Sequence, residues 1–221
     1  MDKCILAHEA ISKLSSGITI MVGGFGLVGC PLTLVRSLSN SSLNQLTIIS
    51  NNLGEPGKGL GMLVRSKQVA KGIGSFFTSN PDVVKAYQAK ELEIELLPQG
   101  TLSEAIRAGG AGLGGFYTPT GVGTFGQGKE TKVIRGKTYL FQPSIRADVA
   151  LIKAYKADKL GNLIYRKSAR NFNPNMATAA DLVIAEVEEI VEVGSLSPEE
   201  IITPHLFVDY ISLTGDAADG G

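Results

Sequence analysis

Three glycines near the start of the chain have a spacing that can serve phosphate binding. Gly24, Gly26 and Gly29 form G-x-G-x-x-G directly after an apolar, β-branched run at residues 18–22. In dinucleotide-binding folds this spacing brings backbone N–H groups and a helix N-terminus up to a pyrophosphate. Two features speak against a nicotinamide cofactor: the next strand ends in amides rather than an acid, and Pro31 stands where the helix should already be under way. A phosphate held by backbone N–H groups and the helix N-terminus remains compatible with the pattern.

Three amide side chains follow other predicted strands and could donate hydrogen bonds to a carboxylate or thioester oxygen. Asn51 and Asn52 end the run at residues 46–50, and Gln99 precedes Gly100 after a further run. Asparagines also form turns, and Gln99 could equally tie its own loop together. The functional and the structural interpretation of these amides both stay open.

The acids and histidines offer no convincing nucleophile, general base or metal site. Glu55 is the one acid in a glycine-rich loop and so the best internal nucleophile candidate, although Pro56 and Gly57 favour an exposed turn. His8 and His205 have no partner at metal-ligand spacing, and no metal is expected. The remaining clustered acids are predicted to lie on solvated surfaces: Glu91, Glu93, Glu95, Glu186, Glu188, Glu189 and Glu192. The chain also lacks a G-x-S-x-G elbow, a CxxC motif and a P-loop.

The densest glycine stretch spans residues 97–128, which hold 10 of the 27 glycines. Anchoring side chains interleave these glycines, unlike in a Gly/Ser linker: Phe116, Tyr117, Pro119, Thr120 and Phe125. Because each ordered glycine costs conformational entropy, we predict a shaped loop that faces a ligand.

Apolar runs alternate with helix-start signals along the chain. Strands are predicted at residues 18–22, 46–50, 69–74, 92–97, 137–142, 148–155, 163–166 and 182–185, with a hairpin at the Gly161-Asn162 turn. Helices are predicted at residues 2–15, 31–38, 81–90 and 175–180, and a further one opens with a capping box from Thr101 to Glu104 and stops at Gly109. This alternation predicts an α/β fold: an open, mainly parallel sheet flanked by helices, with ligands bound beyond the carboxyl ends of the strands. We find no internal repeat and expect one domain over residues 1–214, with a frayed tail at 215–221.

Composition excludes several classes of partner. Lys+Arg and Asp+Glu both number 21, so no global field exists to attract nucleic acid or an anionic membrane. The longest apolar run, near residues 18–29, is too short and too rich in glycine to span a bilayer. Cys4 and Cys30 form no disulfide framework, which fits a cytoplasmic protein.

Four stretches in register along the chain resemble the alpha (A) subunit of the family I coenzyme A transferases, of the 3-oxoacid (acetoacetate) and acetate types. They are residues 22–31 (VGGFGLVGCP), 50–54 (SNNLG), 97–124 (LPQGT through GGAGLGGFYTPTGVGT) and 161–174 (GNLIYRKSARNFNP). The resemblance covers nearly the whole chain, to about Gly194. One departure concerns a turn residue: Ser16-Gly17 stands where the family signature usually opens with Asp or Asn.

The resemblance implies the coenzyme A transferase fold, shared with sugar-phosphate isomerases of the ribose type, and a ping-pong reaction. In this family the nucleophilic glutamate lies in the beta (B) subunit, so this chain would be one half of an α2β2 enzyme that is active only with that partner. The glutamate forms a mixed anhydride with the acyl group and then a glutamyl-CoA thioester. Coenzyme A is a substrate here, and no tightly bound cofactor is implied.

The resemblance also implies roles for particular residues. Gln99 would be the catalytic oxyanion donor of this chain, while Asn51, Asn52 and Gly100 would bind substrate. The coenzyme A-binding loop would consist of Gly23, Gly24, Phe25, Gly26, Leu27, Val28 and Gly29. Two groups of residues have two possible roles each. Phe116 and Tyr117 would either line the acyl pocket or pack in the core. The basic residues would either contact the CoA phosphates or lie on a solvated face: Lys153, Lys156, Lys167 and Arg170.

Two other functions stay in view. A non-catalytic sensor domain of the same fold would bind a sugar phosphate without affinity for coenzyme A. A stand-alone isomerase would need acid and base residues that these loops lack. The SNNLG and LPQGT stretches together favour the transferase, and the acyl-CoA and acid pair stays open.

Overall fold

The computed structural model describes residues 3–124 and 128–215. Its helices are α1 (Ala7–Ser12), α2 (Leu32–Ser39), α3 (Gly61–Arg65), α4 (Pro81–Gln88), α5 (Gln99–Gly110) and α6 (Asn173–Thr178). Its strands are β1 (Thr19–Val22), β2 (Leu46–Ile49), β3 (Val69–Gly74), β4 (Glu93–Leu96), β5 (Gly115–Thr118), β6 (Thr131–Ile134), β7 (Lys137–Pro143), β8 (Ala147–Lys153), β9 (Lys156–Asp158), β10 (Leu163–Ile164), β11 (Ala180–Val187), β12 (Glu189–Val191) and β13 (Tyr210–Leu213). Short 3₁₀ segments lie at Lys167–Arg170, Pro198–Glu200 and His205–Phe207.

Seven strands form one parallel sheet in the order β13-β11-β8-β1-β2-β3-β4. The chain builds outward from β1 in one direction through β4 and in the other through β8, β11 and β13. The order of strands therefore reverses between β1 and β8, where such sheets open a crevice for ligands. The predicted α/β fold with an open, mainly parallel sheet is confirmed.

Both faces of the central strands are buried, which explains their continuous apolar runs. In β1, Ile20 and Val22 pack into one core with α1 to α4, whereas Met21 packs into the other core with α5 and α6. Strand alternation thus assigns successive side chains to opposite helical layers.

Two small sheets lie outside this main sheet. Strands β5, β7 and β6 form an antiparallel sheet, and β9 pairs antiparallel with β10 and parallel with β12. The β9–β10 pair turns at Gly161-Asn162, so the predicted hairpin is confirmed. Asn80 accepts from Asp82 N at 3.0 Å as the N-cap of α4, also as predicted.

Two predicted helix starts are wrong. The first helix begins at Ala7 rather than residue 2, because Cys4 lies in extended chain that forms a bridge with Ile211. That segment covers the edge of β13, which would otherwise expose unpaired backbone groups. In the fifth helix Pro98 is the N-cap residue, so Thr101 is buried inside the helix and forms no capping box.

The C-terminal tail falls largely outside the described residues, and its predicted fraying stays a prediction. The first residue of the tail is attached to α2, because Gly215 N donates to Thr33 Oγ1 at 3.1 Å.

Candidate functional site

The loop of residues 23–31 follows β1 at the point where the strand order reverses. Phe25 and Val28 exchange backbone hydrogen bonds, with N···O distances of 2.9 and 3.3 Å, so the loop is a tight hairpin. Both side chains are about half exposed, at 50% and 51%. The tip of this glycine loop therefore faces solvent at the carboxyl edge of the sheet.

Two asparagines that follow β10 hold this loop in place. Asn171 Oδ1 accepts from Gly24 N at 3.1 Å, and Asn171 Nδ2 donates to Val28 O at 2.9 Å. Asn173 is fully buried and donates from Nδ2 to Gly29 O at 3.0 Å. The VGGFGLVG and NFNP stretches, far apart in sequence, thus form one hydrogen-bonded unit.

Several glycines of the loop serve this internal packing. A Cβ on Gly23 would overlap Asn173 Oδ1, and a Cβ on Gly29 would overlap Ala169 O. Gly26, with φ +61°, has open space on its free side and needs glycine for its backbone conformation instead. The predicted coenzyme A-binding residues therefore divide: Gly23, Gly24 and Gly29 face protein, whereas Phe25, Gly26, Leu27 and Val28 form the accessible tip.

The N-terminus of α2 is already occupied by a side chain of this protein. Glu186, at the end of β11, accepts through Oε2 from Thr33 N at 2.8 Å and from Leu34 N at 3.2 Å. The sequence pattern left open a phosphate on this helix N-terminus, but a carboxylate fills that position in the structure. The prediction that Glu186 lies on the surface is wrong, since only 1% of the residue is exposed.

Lys153, at the end of β8, balances the buried charge of Glu186. Its Nζ lies 3.1 Å from Glu186 Oε1 and also donates to Thr214 Oγ1. Its backbone N–H donates to Asn173 Oδ1 at 2.9 Å. Lys153 therefore meets an internal carboxylate rather than a solvated face. The sequence carried one overlooked signal: Glu186 is the single charge inside the apolar run from 182 to 187.

A cavity of about 230 Å³ opens between the glycine loop and the chain after β8. Its lining includes Leu27, Cys30, Lys153, Tyr165, Arg166 and Glu186. Burial raises the pKa of the Cys30 thiol to about 12, and the nearby Glu186 carboxylate contributes to that rise. This thiol is therefore protonated at neutral pH and is no nucleophile.

The two asparagines after β2 differ in exposure. Asn51 is 2% exposed and donates from Nδ2 to Ser75 Oγ at 2.8 Å, while its backbone carbonyl accepts from Ser75 N and Phe76 N. Asn52 is half-buried, and its Oδ1 accepts from Gly54 N at 3.0 Å in an Asx turn. Asn51 thus ties the ends of β2 and β3 together, and Asn52 stands closer to solvent.

Gln99 opens α5 directly after β4, at the same edge of the sheet. The side chain is exposed, and no residue within 3–124 or 128–215 forms a hydrogen bond with its amide. Gly100 beside it is also exposed, and a Cβ there would meet nothing within 4 Å. The geometry leaves this amide available to a ligand, and its catalytic role stays a prediction.

A second hairpin, after β2, repeats the shape of the glycine loop. Glu55 and Lys58 exchange backbone hydrogen bonds as Phe25 and Val28 do, thirty positions earlier. A Cβ on Gly59 would lie 2.8 Å from Leu27 Cδ2, so the two hairpins pack side by side. Glu55 lies exposed on this turn, as predicted from its neighbours. This local repeat of backbone shape could not be predicted from the sequence, because the two loops share only glycines at corresponding positions.

About half of the dense glycine stretch is regular structure rather than loop. It contains α5 and β5, and glycines inside it allow close packing: a Cβ on Gly110 would overlap the side chain of Thr178. Tyr117 lies on β5, donates to Glu130 and packs 5.4 Å from the ring of Phe141. Phe125 falls outside the described residues. The prediction of one ligand-facing loop over 97–128 is therefore wrong for its helical and strand portions.

The other predicted surface groups have ordinary environments. On the outer strand β4, Glu93 and Glu95 form ion pairs with Lys71 of the neighbouring strand β3, at 3.1 and 2.9 Å, which confirms a solvated face there. Lys156 pairs with Glu189 at 2.6 Å. Among the residues that the structure describes, no three His, Cys, Asp or Glu side chains are grouped to hold a metal ion. No helix in that part of the chain has both the length and the apolar character needed to cross a bilayer.

The sheet and its carboxyl-edge loops define the class of protein. A thioester complex of an acyl-CoA transferase from Escherichia coli O157:H7 with CoA has the same fold, with a TM-score of 0.83 at 20% identity over 96% of this chain and 47% of that one. This chain thus spans about half of that solved protein, and the fold is that of the coenzyme A transferases.

Sequence comparisons narrow this class to a family. A family model described as Coenzyme A transferase matches residues 5–214. The chain is 50% identical over 201 residues to the A subunit of succinyl-CoA:3-ketoacid coenzyme A transferase from Xanthomonas campestris pv. campestris (strain B100), a match that covers 90% of this chain and 83% of that one. It is 45% identical over 216 residues to the alpha subunit of acetate CoA-transferase from Escherichia coli (strain K12), which covers 97% and 98%. The chain therefore belongs to the coenzyme A transferase family, among relatives that are separate A or alpha subunits of transferases.

Proposed function

We propose that this chain is the alpha subunit of an enzyme that moves coenzyme A between an acyl-CoA and a 3-oxo or short-chain carboxylic acid. The observation that carries the proposal is the chemistry of the carboxyl edge. Gln99 presents an amide that no described residue engages, whereas Glu186, the buried acid near this edge, is fully used by α2 and Lys153. The edge therefore offers a donor for an oxyanion, while its exposed acid Glu55 lies on a tight turn.

A glutamate of the partner beta subunit supplies the attacking group in this proposal. It attacks the thioester carbonyl, which releases CoA thiolate and leaves a mixed anhydride. The thiolate then attacks the glutamyl carbonyl of that anhydride, so that a glutamyl-CoA thioester forms and the first acid leaves as carboxylate. An acceptor carboxylate reverses the same steps and leaves as the new acyl-CoA. Coenzyme A is thus a substrate throughout.

In that scheme the residues of this chain stabilise the developing negative charge and orient the substrate. Each addition builds negative charge on a carbonyl oxygen, and the amide of Gln99 donates to it. Asn52, near solvent at the end of β2, orients the substrate carbonyl or carboxylate, and Gly100 lets the substrate approach the start of α5. Asn51 contributes mainly by holding the β2 and β3 ends together. The accessible tip of the glycine loop, Phe25 to Val28, lines the path of coenzyme A.

The names of the relatives support a partner subunit for this chain. Relatives called A or alpha subunits support the existence of a beta (B) subunit, and we extend this to an α2β2 enzyme that acts without nucleic acid or membrane. The cytoplasmic location stays a prediction from cysteine usage. The domain boundaries, 1–214 with a tail at 215–221, are likewise proposed.

The sugar-phosphate sensor is the weaker alternative. The relatives are transferase subunits, and the helix N-terminus that would hold a phosphate is filled by Glu186. A stand-alone isomerase would need an acid and a base at this edge, where the exposed acid Glu55 lies on a turn beside Pro56 and Gly57.

Co-expression with a candidate beta subunit tests the proposal. The purified complex is assayed for CoA transfer and then treated with borohydride in the presence of acyl-CoA, which traps the enzyme–CoA thioester. We expect the complex, but not this chain by itself, to transfer CoA. We also expect a trapped adduct on a glutamate of the beta subunit. An adduct on this chain, at Glu55, would overturn the division of labour. Calorimetry that finds sugar-phosphate binding without transfer would favour the sensor.

A further inference from the structure

Glu186 occupies the position that a bound anion takes in related loops. Its carboxylate receives the N–H groups of Thr33 and Leu34, the second and third residues after the N-cap Pro31, which itself provides no side-chain cap. The first turn of a helix carries orphan N–H donors and partial positive charge, which a capping side chain, water or a bound anion such as phosphate can satisfy. Here the protein supplies the anion from a strand 153 positions away in sequence.

The surroundings of this carboxylate complete its hydrogen bonds. Oε1 accepts from Thr33 Oγ1 at 3.2 Å, from Thr214 Oγ1 at 3.2 Å and from Lys153 Nζ at 3.1 Å. A buried ion pair is rarely more stable than well-packed apolar residues of the same volume. Its neighbours on β11 follow that rule, since Ile184, Ala185 and Val187 are all buried and apolar. A charged pair at this one place therefore calls for a role beyond stability.

The pair is connected to the glycine loop at two points. Glu186 fixes the first turn of α2, where the loop ends. Lys153 donates its backbone N–H to Asn173, which in turn binds Gly29 O inside the loop. Loss of either charge would act on the loop through the first turn of α2, since the bond from Lys153 to Asn173 uses the backbone N–H and not the side chain.

We propose that Glu186, balanced by Lys153, is a built-in anion that positions the glycine loop and keeps phosphate groups away from the N-terminus of α2. Glu186 is a positioning and specificity residue in this proposal, because its hydrogen bonds go to protein groups at the start of α2, at Lys153 and at Thr214. A ligand with a phosphate then has to meet the loop at its tip, from Phe25 to Val28. Only the identification of that ligand as coenzyme A rests on the proposed function, so the tests below read out stability and anion binding.

Rescue by a small anion tests the role directly. Glu186→Ala, made in the full chain together with its beta partner, removes the carboxylate and leaves Lys153 and the α2 N–H groups without their partner. We expect its Tm to fall by roughly 5–10 °C. Sodium formate should restore at least half of that loss, relative to sodium chloride at equal ionic strength, while wild type gains nothing specific.

Ile184→Ala is the matched control, because it creates a cavity on the same strand and face without removing charge. Formate should not rescue it. Equal gains in wild type, Ile184→Ala and Glu186→Ala would overturn the proposal, as would a Glu186→Ala complex that formate fails to stabilise.

An isosteric variant covers the case in which Glu186→Ala does not fold. Glu186→Gln keeps the volume but loses the charge, and we expect amide hydrogen exchange at Thr33 and Leu34 to accelerate by about 10- to 100-fold. Unchanged exchange at both amides would overturn the proposal. A folded complex that does not transfer CoA would refute the proposed function. The formate rescue and the amide exchange would still test the role of Glu186.

Discussion

The Oδ1 atom of Asn173 lies where a Cβ on Gly23 would be. That oxygen accepts from Lys153 N, and Asn173 is fully buried, so it has no room to withdraw. The glycine is therefore required by the packing of the protein itself, whatever ligand the loop binds.

Gly23→Ala is expected to destabilise the protein by about 1–3 kcal/mol, because the added methyl group overpacks a buried, hydrogen-bonded contact. Thermal or denaturant unfolding measures the change. Gly114→Ala is the control, since that glycine is exposed and a Cβ there meets nothing within 4 Å. Equal stability of the two variants would mean that Asn173 does not restrain the loop.

Much of the fold could be predicted because its signals are local. β-branched runs such as residues 18–22 become strands buried on both faces, and Asn80 caps α4 through a contact two residues away. The error at the first helix arose because a distant contact decided the outcome. Cys4 suits a helix by periodicity, but the open edge of β13 draws it into extended structure.

The candidate site was predictable in its exposed parts and not in its buried ones. Gln99 and the loop tip follow strand ends, and parallel strands bring such ends to one edge. Glu186 differs from the surface acids Glu188 and Glu189 by standing inside an apolar run, which indicates burial but not the partners of the carboxylate. Its burial depends on Lys153 and Thr33, which are separated from it by 33 and 153 positions, and no local pattern reports such a pairing.

Asn51 and Asn52 should respond differently to truncation, although they are adjacent. Asn51→Ala removes a part-buried hydrogen bond from the buried amide of Asn51 to Ser75 Oγ and should lower the free energy of unfolding by about 1–3 kcal/mol. Asn52→Ala removes only an Asx-turn contact near solvent and should cost about 0.5 kcal/mol while reducing CoA transfer. Urea unfolding and activity assays on both variants separate the roles. Similar stability losses would contradict the assignment of Asn51 to the framework.

The two cysteines should differ in reactivity toward thiol reagents. Cys4 is exposed, whereas burial raises the pKa of Cys30 to about 12, so its thiolate is scarce until the pH approaches that value. At pH 8 a disulfide reagent should modify one thiol rapidly in the native full chain and two after denaturation. In Cys4→Ser the rapid phase should disappear. A rapid phase that survives in Cys4→Ser would show that Cys30 is accessible and ionised.

Gln99→Ala tests the proposed oxyanion donor. The side chain forms no hydrogen bond with any described residue and is exposed at the start of α5, so its removal should leave the Tm of the complex within about 1 °C of wild type. Loss of one preorganised donor to a developing oxyanion lowers kcat by roughly 10²- to 10³-fold. Because that interaction strengthens only in the transition state, KM should change far less than kcat.

Gln88→Ala is the matched control for this variant. Gln88 is also an exposed amide, at the end of α4, and its truncation should leave kcat near the wild-type value. Gln99→Glu adds a sharper comparison, because a carboxylate at this position would repel the oxyanion and should depress kcat at least as strongly as alanine. Wild-type turnover in a folded Gln99→Ala complex would remove Gln99 from the chemistry, and an increase in KM alone would assign it to ground-state binding instead.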